Sequence, residues 1–505
     1  MHVRFALSTL LCGMCAWACD TAGHEVLGQR CGSDDACHEL VCAADLESLE
    51  ADLDPLPLHC AETAEGRPPG QACEGANDCT HKLCLLAGAC ARACRDDPDC
   101  ADGQRCQGVY ARVADDRLAT TRACVDSVNL PSDLRVEQRE LHAAFSGGTE
   151  RLILPALAPQ TLYVVEHLDD TTWPIPSTTS RCRPPLCALA LRTTGDEPRV
   201  LFARDQLTTD PVGPDNPIAQ GSHVNPLPVW VPNGTRVTPE PRTYELQIEA
   251  AQPGNLRVTS LARDTQGLRL DLNAFYVGAA GLQPEGSRGP PLLEAAFEEV
   301  DRIFEPAGIF LGEIRQLSVP GGLAARGSDA AQGEVSAGFT ELISQYQVLP
   351  EFPELLRLSA GAANSALDVF FVADIQSTVG SDVGGIAAGT PVVFGMHGSP
   401  GSGVAIASDM FIVPGRAREL GRTLAHELAH ALGLFHTTEP NGIVFDPLPD
   451  TPACPLSQDH DDNGSLDAKE CAAYGGDNLM FSTSDAGDQL TEQQREVLRR
   501  ALVLQ

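Results

Sequence analysis

Basic side chains are scarce in this sequence. Thirty-five lysines and arginines stand against 69 aspartates and glutamates in 505 residues, a formal charge of 35 − 69 = −34. Such a balance excludes a basic face that could grip a phosphate backbone or an anionic lipid surface, so nucleic acid is not expected as a partner. The acidic surplus reads as a solvated exterior rather than a patch for a basic partner. Long apolar runs are missing as well. Beyond residue 20 nothing approaches the roughly 18 apolar residues that a membrane-spanning helix requires. Between Cys31 and Cys124 no CxxC pair occurs, which removes the usual spacing of a zinc-thiolate site. Histidine is rare, with 13 residues in all, so three of them within eleven positions mark a strong local departure.

What is present begins with an export signal. Arg4 supplies a positive n-region, and Phe5 to Trp17 is an apolar stretch too short to cross a bilayer, so residues 1–18 are expected to be a signal peptide. "AWAC" then resembles a bacterial lipobox. In that reading Cys19 is lipidated, becomes the mature N-terminus and tethers residues 19–30; plain secretion is the alternative. Losing Cys12 and Cys15 with the signal and lipidating Cys19 leaves 19 − 3 = 16 cysteines, an even number that can pair completely. The chain is expected outside the cell, as a surface lipoprotein or a secreted protein, with the lipid as its only membrane contact.

A chain of 505 residues exceeds what one hydrophobic core spans, and roughly two to four domains are expected. Residues 31–124 hold twelve cysteines, the density of a disulfide scaffold. "GQRCGSDDACHELVC" and "GQACEGANDCTHKLC" share the spacing C-x5-C-x4-C, so two copies of one stapled module are expected, the second extended through Cys90, Cys94, Cys100 and Cys106. From 130 to 265 short β-branched or aromatic runs alternate with Pro, Gly and Asp. "TYELQIEA" places Tyr244, Leu246 and Ile248 on one face and Glu245, Gln247 and Glu249 on the other, the period of a half-buried strand. With "TLYVVE", "CALALRT", "RVLFARD" and "NLRVTS" this predicts a β-sandwich, with Cys182 and Cys187 closing a hairpin. From 268 to 505 strands and helices alternate. "LRLDLNAFYV", "LDVFFVADI" and "GSGVAIASD" read as strands, "PPLLEAAFEEVDRIFEPAG" as an amphipathic helix, and "LTEQQREVLRRALVL" as a closing helix capped by Thr491.

The densest chemical signal is "HELAHALGLFH", His426 to His436. In a helix from Arg416 to Leu432, Leu420, Leu424, Leu428 and Leu432 form the core-facing stripe. His426 and His430 share a face displaced about 200° from it, toward a cleft. For His436 to join them the helix must end and the chain must swing round, and Gly433 sits where a positive φ achieves that. Three histidines leave a tetrahedral Zn²⁺ one open position, the arrangement of catalytic sites. Glu427 is not needed as a ligand and adjoins His426, so its natural role is general base.

On these residues the sequence resembles the metzincin metallopeptidases, which carry HExxHxxGxxH followed by a methionine-containing turn. "DNLMF", with Met480, is similar to that turn. "DTPAC" (Asp450 to Cys454), "DNLM" and "LTEQQ" fall in the order seen in the pappalysin-like branch, and the resemblance spans about Leu268 to Gln505. It implies a multidomain chain: disulfide-rich repeats, a β-sandwich, then an α/β catalytic domain in which a twisted sheet and an active-site helix face a smaller C-terminal subdomain. It also implies zinc as cofactor and hydrolysis of protein or peptide substrates. The strand "GVAIAS" becomes the candidate rim that aligns an extended peptide. One residue departs from the family: Ser482 stands where pappalysin-like enzymes usually have a tyrosine.

"DHDDNGSLDAKE" fits the EF-hand loop and predicts a Ca²⁺ site. Asp459, Asp461, Asn463 and Asp467 take positions 1, 3, 5 and 9, Gly464 is the turn glycine, Ser465 offers its carbonyl and Glu470 closes the loop. Pro452 and Pro455 precede it and "YGG" soon follows, where helices would stand, and a disulfide between Cys454 and Cys471 could clamp it instead. The function expected from the whole is a zinc-dependent endopeptidase. The alternative is a cell-surface adhesion or binding protein with a vestigial peptidase domain.

Overall fold

The structure is a computed structural model that describes residues 27 and 29–505 except 38–39, 47–55, 64, 115–116, 127–128, 131–133, 142–147, 155–160, 168–185, 195–199, 204–226, 232–242, 251–253, 264–266, 278–290, 320–340, 345–350, 378–382 and 412–414. The expected signal peptide, Cys19 and Cys182 lie outside the described residues. The chain folds into two compact units. The first runs to Asn129 and takes in Arg357–Ala363; the second is formed by 130–319, 324–356 and 364–505.

In the first unit the strands are β1 (Val41–Ala44), β2 (Leu58–Ala61), β3 (Cys84–Leu85), β4 (Arg92–Ala93), β5 (Gln104–Ala114) and β6 (Arg117–Asp126). β1 pairs with β2, and the others form a sheet in the order β3-β5-β6-β4. Six disulfides staple it: Cys31–Cys42, Cys37–Cys60, Cys73–Cys84, Cys79–Cys90, Cys94–Cys106 and Cys100–Cys124. Each successive group of four cysteines pairs first to third and second to fourth. The expectation of two modules is therefore corrected to three. The third departs from the shared spacing, its middle interval being one residue longer, yet it keeps the bond pattern. Its fourth cysteine also follows the third by the same interval as in the first module, 124 − 106 = 60 − 42 = 18. A shared acceptor supports the repeat: Asp34 takes the N–H of Cys42, and Asp97 that of Cys106. Because these cysteines are oxidised, they offer no thiolate to a metal. Leu83, Leu85, Val109, Ala111 and Val125 form the apolar core, completed by Ala360 from the returning segment.

The second unit opens with β7 (Arg135–Leu141), β8 (Gly148–Leu154), β9 (Thr161–His167), β10 (Leu186–Thr193), β11 (Val200–Ala203), β12 (Leu227–Val231), β13 (Tyr244–Ala250) and β14 (Leu256–Ala262). They make two four-stranded antiparallel sheets, β11-β10-β13-β8 and β12-β9-β14-β7. The alternation in "TYELQIEA" is obeyed: Tyr244, Leu246 and Ile248 are buried, and Glu245 and Gln247 are partly exposed. Tyr163 and Tyr244, one from each sheet, meet edge to face with centroids 6.4 Å apart.

The remainder contains β15 (Arg269–Val277), α1 (Pro291–Phe304), β16 (Phe310–Val319), β17 (Glu341–Ser344), α2 (Glu351–Leu356), β18 (Leu367–Val372), β19 (Asp374–Ser377), β20 (Gly385–Ala387), β21 (Val404–Ala407), α3 (Ala417–Ala431) and α4 (Glu492–Arg499). Five strands form a sheet in the order β16-β15-β18-β21-β20, parallel except for β20 at its edge. The near-continuous apolar runs of β15 and β18 are buried, as a parallel sheet covered on both faces demands. α1 and α3 cross closely at Gly421, where a Cβ would lie 2.6 Å from the Ala296 carbonyl oxygen. The expectation that "GVAIAS" forms the rim is corrected. That segment is β21, fully buried and hydrogen-bonded on both sides. The rim is β20, too short and glycine-rich to carry a strand signal of its own.

Candidate metal centre

α3 carries the histidines. Leu420, Leu424, Leu428 and Leu432 are fully buried, which pins the helix by the expected stripe. The helix ends in a paired cap: Gly433 N–H bonds to the His430 carbonyl and Leu434 N–H to that of Ala429, with Gly433 at φ 108°. Both bonds are those of the left-handed glycine terminus that turns a chain back across its own helix. His436 is thereby brought to the other two.

The three rings converge through Nε2. His436 Nε2 lies 3.2 Å from that of His426 and 3.0 Å from that of His430. Each Nδ1 faces an oxygen: the Leu479 carbonyl at 2.7 Å, the Leu434 carbonyl at 2.7 Å and the Glu439 carboxylate at 3.0 Å for His426, His430 and His436 in turn. Oxygen acceptors oblige each Nδ1 to carry the proton, so three Nε2 lone pairs point at one another. Lone pairs at that separation repel unless a cation lies between them. Bonds of about 2.0–2.1 Å to a tetrahedral zinc put neighbouring nitrogens about 3.3 Å apart, so the donor set fits. Burial, then the neighbouring His436, holds His426 at about 3 and keeps His430 well below the usual imidazole value. Both rings are therefore neutral at physiological pH, the form that binds metal.

Glu427 is 7% exposed, and burial pushes its carboxyl up to about 8, against a hydrogen bond from the Ala387 backbone. The rim strand approaches it closely, since a Cβ on Gly385 would stand 2.5 Å from Glu427 Cγ. Glu427, the three histidines, Gly384 and Ser482 line a cavity of about 570 Å³.

Beneath the histidines lies the turn 477–481, with Met480 fully buried. Leu479 accepts from His426, and the Met480 carbonyl accepts from Thr437 N–H at 2.9 Å, so the turn is bonded on both sides of the triad. Asn478 exchanges two side-chain hydrogen bonds with Gln494 of α4, at 2.8 and 3.1 Å. Asp450 accepts from Thr491 Oγ1 and Gln493 N–H at the start of the same helix. The three short motifs "DTPAC", "DNLM" and "LTEQQ" are thus one hydrogen-bonded support. Ser482 keeps its hydroxyl buried and without a hydrogen-bond partner.

In the acidic loop, oxygens of Asp459, Asp461 and Glu470 come within 4.8 Å of one another, and Gly464 turns with φ 82°. Asp467 is outside that group: its Oδ1 accepts the N–H of Lys469 and Glu470. In EF-hands that position commonly reaches the ion through water. Asn463 Oδ1 accepts from Ser465 N–H, and Ser465 also lines the cleft. The disulfide Cys454–Cys471 brackets the loop as its flanks suggested. Sequence reasoning missed Glu439, which anchors His436, and Gly385, which admits Glu427. Neither belongs to a periodic pattern, so no local signal marked them. Compared with models of known protein families and with curated proteins, the chain matches none.

Proposed function

We propose that this chain is a zinc-dependent endopeptidase of the pappalysin-like metzincin kind, acting on proteins or peptides outside the cell as a surface lipoprotein or secreted enzyme. The observation that carries the reading is the convergence of three Nε2 lone pairs beside the buried carboxyl of Glu427 in an open cleft. When bound, zinc supplies Lewis acidity, polarising a carbonyl and making water acidic near neutral pH. Glu427, whose ionised form would be favoured by a cation held at the adjoining histidines, takes the proton from the attacking water as carboxylate. As the C–N bond breaks it delivers that proton to the leaving amine nitrogen. The Ala387 N–H holds the carboxylate in place, and the outer edge of β20 offers main-chain groups to an extended peptide. With Ser482 in place of a phenol, no tyrosine from that position assists the oxyanion.

The zinc-loaded protein is expected to cleave an unfolded protein substrate and to stop when a chelator removes the metal. Glu427→Gln should lower kcat by roughly 10²–10⁴ while zinc content stays at one per chain. Full activity in that variant would sink the mechanism. A binding-only role predicts no cleavage from the wild type either.

The acidic loop is proposed to hold Ca²⁺, ordering the chain between the third histidine and the methionine turn. Calcium should raise the melting temperature, and Asp459→Ala should abolish the rise. A wild-type protein indifferent to calcium would leave the loop a self-bonded acidic turn.

A further inference from the structure

Arg422 and Thr423 stand one helical turn before His426 and Glu427, and all four line the cleft. Four helical residues advance about 6 Å, and extended peptide advances about 3.3 Å per residue. For a peptide lying along α3, a side chain one or two positions from a bond held at the histidines arrives beside Arg422. Apart from the histidines, Arg422 is the only basic side chain lining the cavity among the described residues. It is half-buried and makes one hydrogen bond, from Nη2 to the Ser484 carbonyl at 2.7 Å. No described carboxylate forms an ion pair with it. Its closest acidic neighbour along the helix, Glu419, is hydrogen-bonded by Arg416, and the charge of Arg422 acts on it without an ion-pair contact. Ser482, Thr483 and Ser484 also line the cavity. There the Ser482 hydroxyl is buried without a partner, whereas Thr483 is already bonded to Asp485.

A guanidinium with unused donors on the wall of a cleft is complementary to a carboxylate, which accepts from its planar fork. We propose that Arg422 determines specificity: the cleft takes peptides with an aspartate or glutamate flanking the bond that is cut, its carboxylate gripped by Arg422. The inference rests on the zinc-endopeptidase reading. It concerns which side chain the cleft selects, and a carboxylate is the one that answers a guanidinium.

The zinc-loaded full-length protein is given a mixed peptide digest, and the cleaved bonds are read by mass spectrometry. Asp and Glu should be enriched over Asn and Gln at one flanking position, on the order of tenfold. Synthetic peptides differing only there as Glu, Gln or Lys then give kcat/KM ratios. In Arg422→Gln the Glu-to-Gln ratio should fall to near one, and in Arg422→Glu the Lys peptide should become the better substrate. An arginine that merely holds the Ser484 carbonyl would slow all three peptides equally and leave the ratios unchanged, which overturns the proposal. Rising salt should shrink the wild-type ratio, a readout that needs no variant, and a salt-independent ratio also overturns it. Cleavage without acidic enrichment defeats this inference and leaves the peptidase reading standing. No cleavage of any peptide defeats that reading and the inference with it.

Discussion

Asp446 shows what one buried side chain costs. It is 7% exposed, accepts from Thr451 Oγ1 and the Leu448 N–H through Oδ1, and leaves Oδ2 without a partner. Burial drives its carboxyl up to about 8 from an ordinary value of 3.8, with Asp450 nearby adding to the rise and the two hydrogen bonds opposing it. Between those values the folded chain keeps the proton and the unfolded chain has released it. The unfolded state then binds fewer protons, so stability declines as pH rises from about 4 to about 8 and levels off above that. Asp446→Asn retains an acceptor for both donors and has no charge to expose. Its melting temperature should therefore fall less than that of the wild type between pH 5 and 8. Glu427 contributes a decline of the same sign, so the difference between the two proteins is the readout. Equal slopes would remove Asp446 as a source.

At the scale of elements, the site depends on where α3 stops. Gly433 holds φ 108°, a conformation that a side chain adopts only under strain, and its cap turns the chain that carries His436. Gly433→Ala should cost about 1–2 kcal/mol and loosen the third ligand. The expected outcome is a lower melting temperature together with a weaker zinc affinity in a competitive chelator titration. Unchanged affinity would mean that His436 is positioned by Glu439 and Thr437 alone. The closing helix is built on the same economy of ends. Thr491 and Gln494 form a reciprocal cap, and Gln494 also reaches Asn478 beneath the triad. Helix formation at the C-terminal end and support of the methionine turn are consequently one set of bonds.

Over the whole molecule, disulfides stand in for apolar core in the first unit, where each module is too small to bury enough surface alone. The seven bonds among the described residues require an oxidising environment, and no helix among those residues is long and apolar enough to cross a membrane. Peptide mapping without reduction should recover the repeated pairing of first to third and second to fourth cysteine in all three modules. Any peptide linking cysteines of different modules would refute the repeat. The second unit joins the sandwich and the five-stranded sheet in one body, so a boundary read near residue 266 from texture marks a change of architecture within that unit.

Local periodicity determined a large part of this protein by itself. The leucine stripe of α3, the alternation in β13, the apolar run of β18, the turn at Gly433 and the Cys454–Cys471 bracket were all legible, because each depends on residues close together in the chain. Tertiary structure decided what distant segments do to one another. It put the rim on β20 rather than on the better-looking strand β21, since an edge is a matter of sheet order. It gave the methionine turn its Asn478–Gln494 clasp and set Gly385 against Glu427. It also left Arg422 in the cleft with no carboxylate at ion-pair distance among the described residues. No period or spacing encodes these pairings, because they come from chain packing that brings together residues whose separation in sequence carries no regular signal.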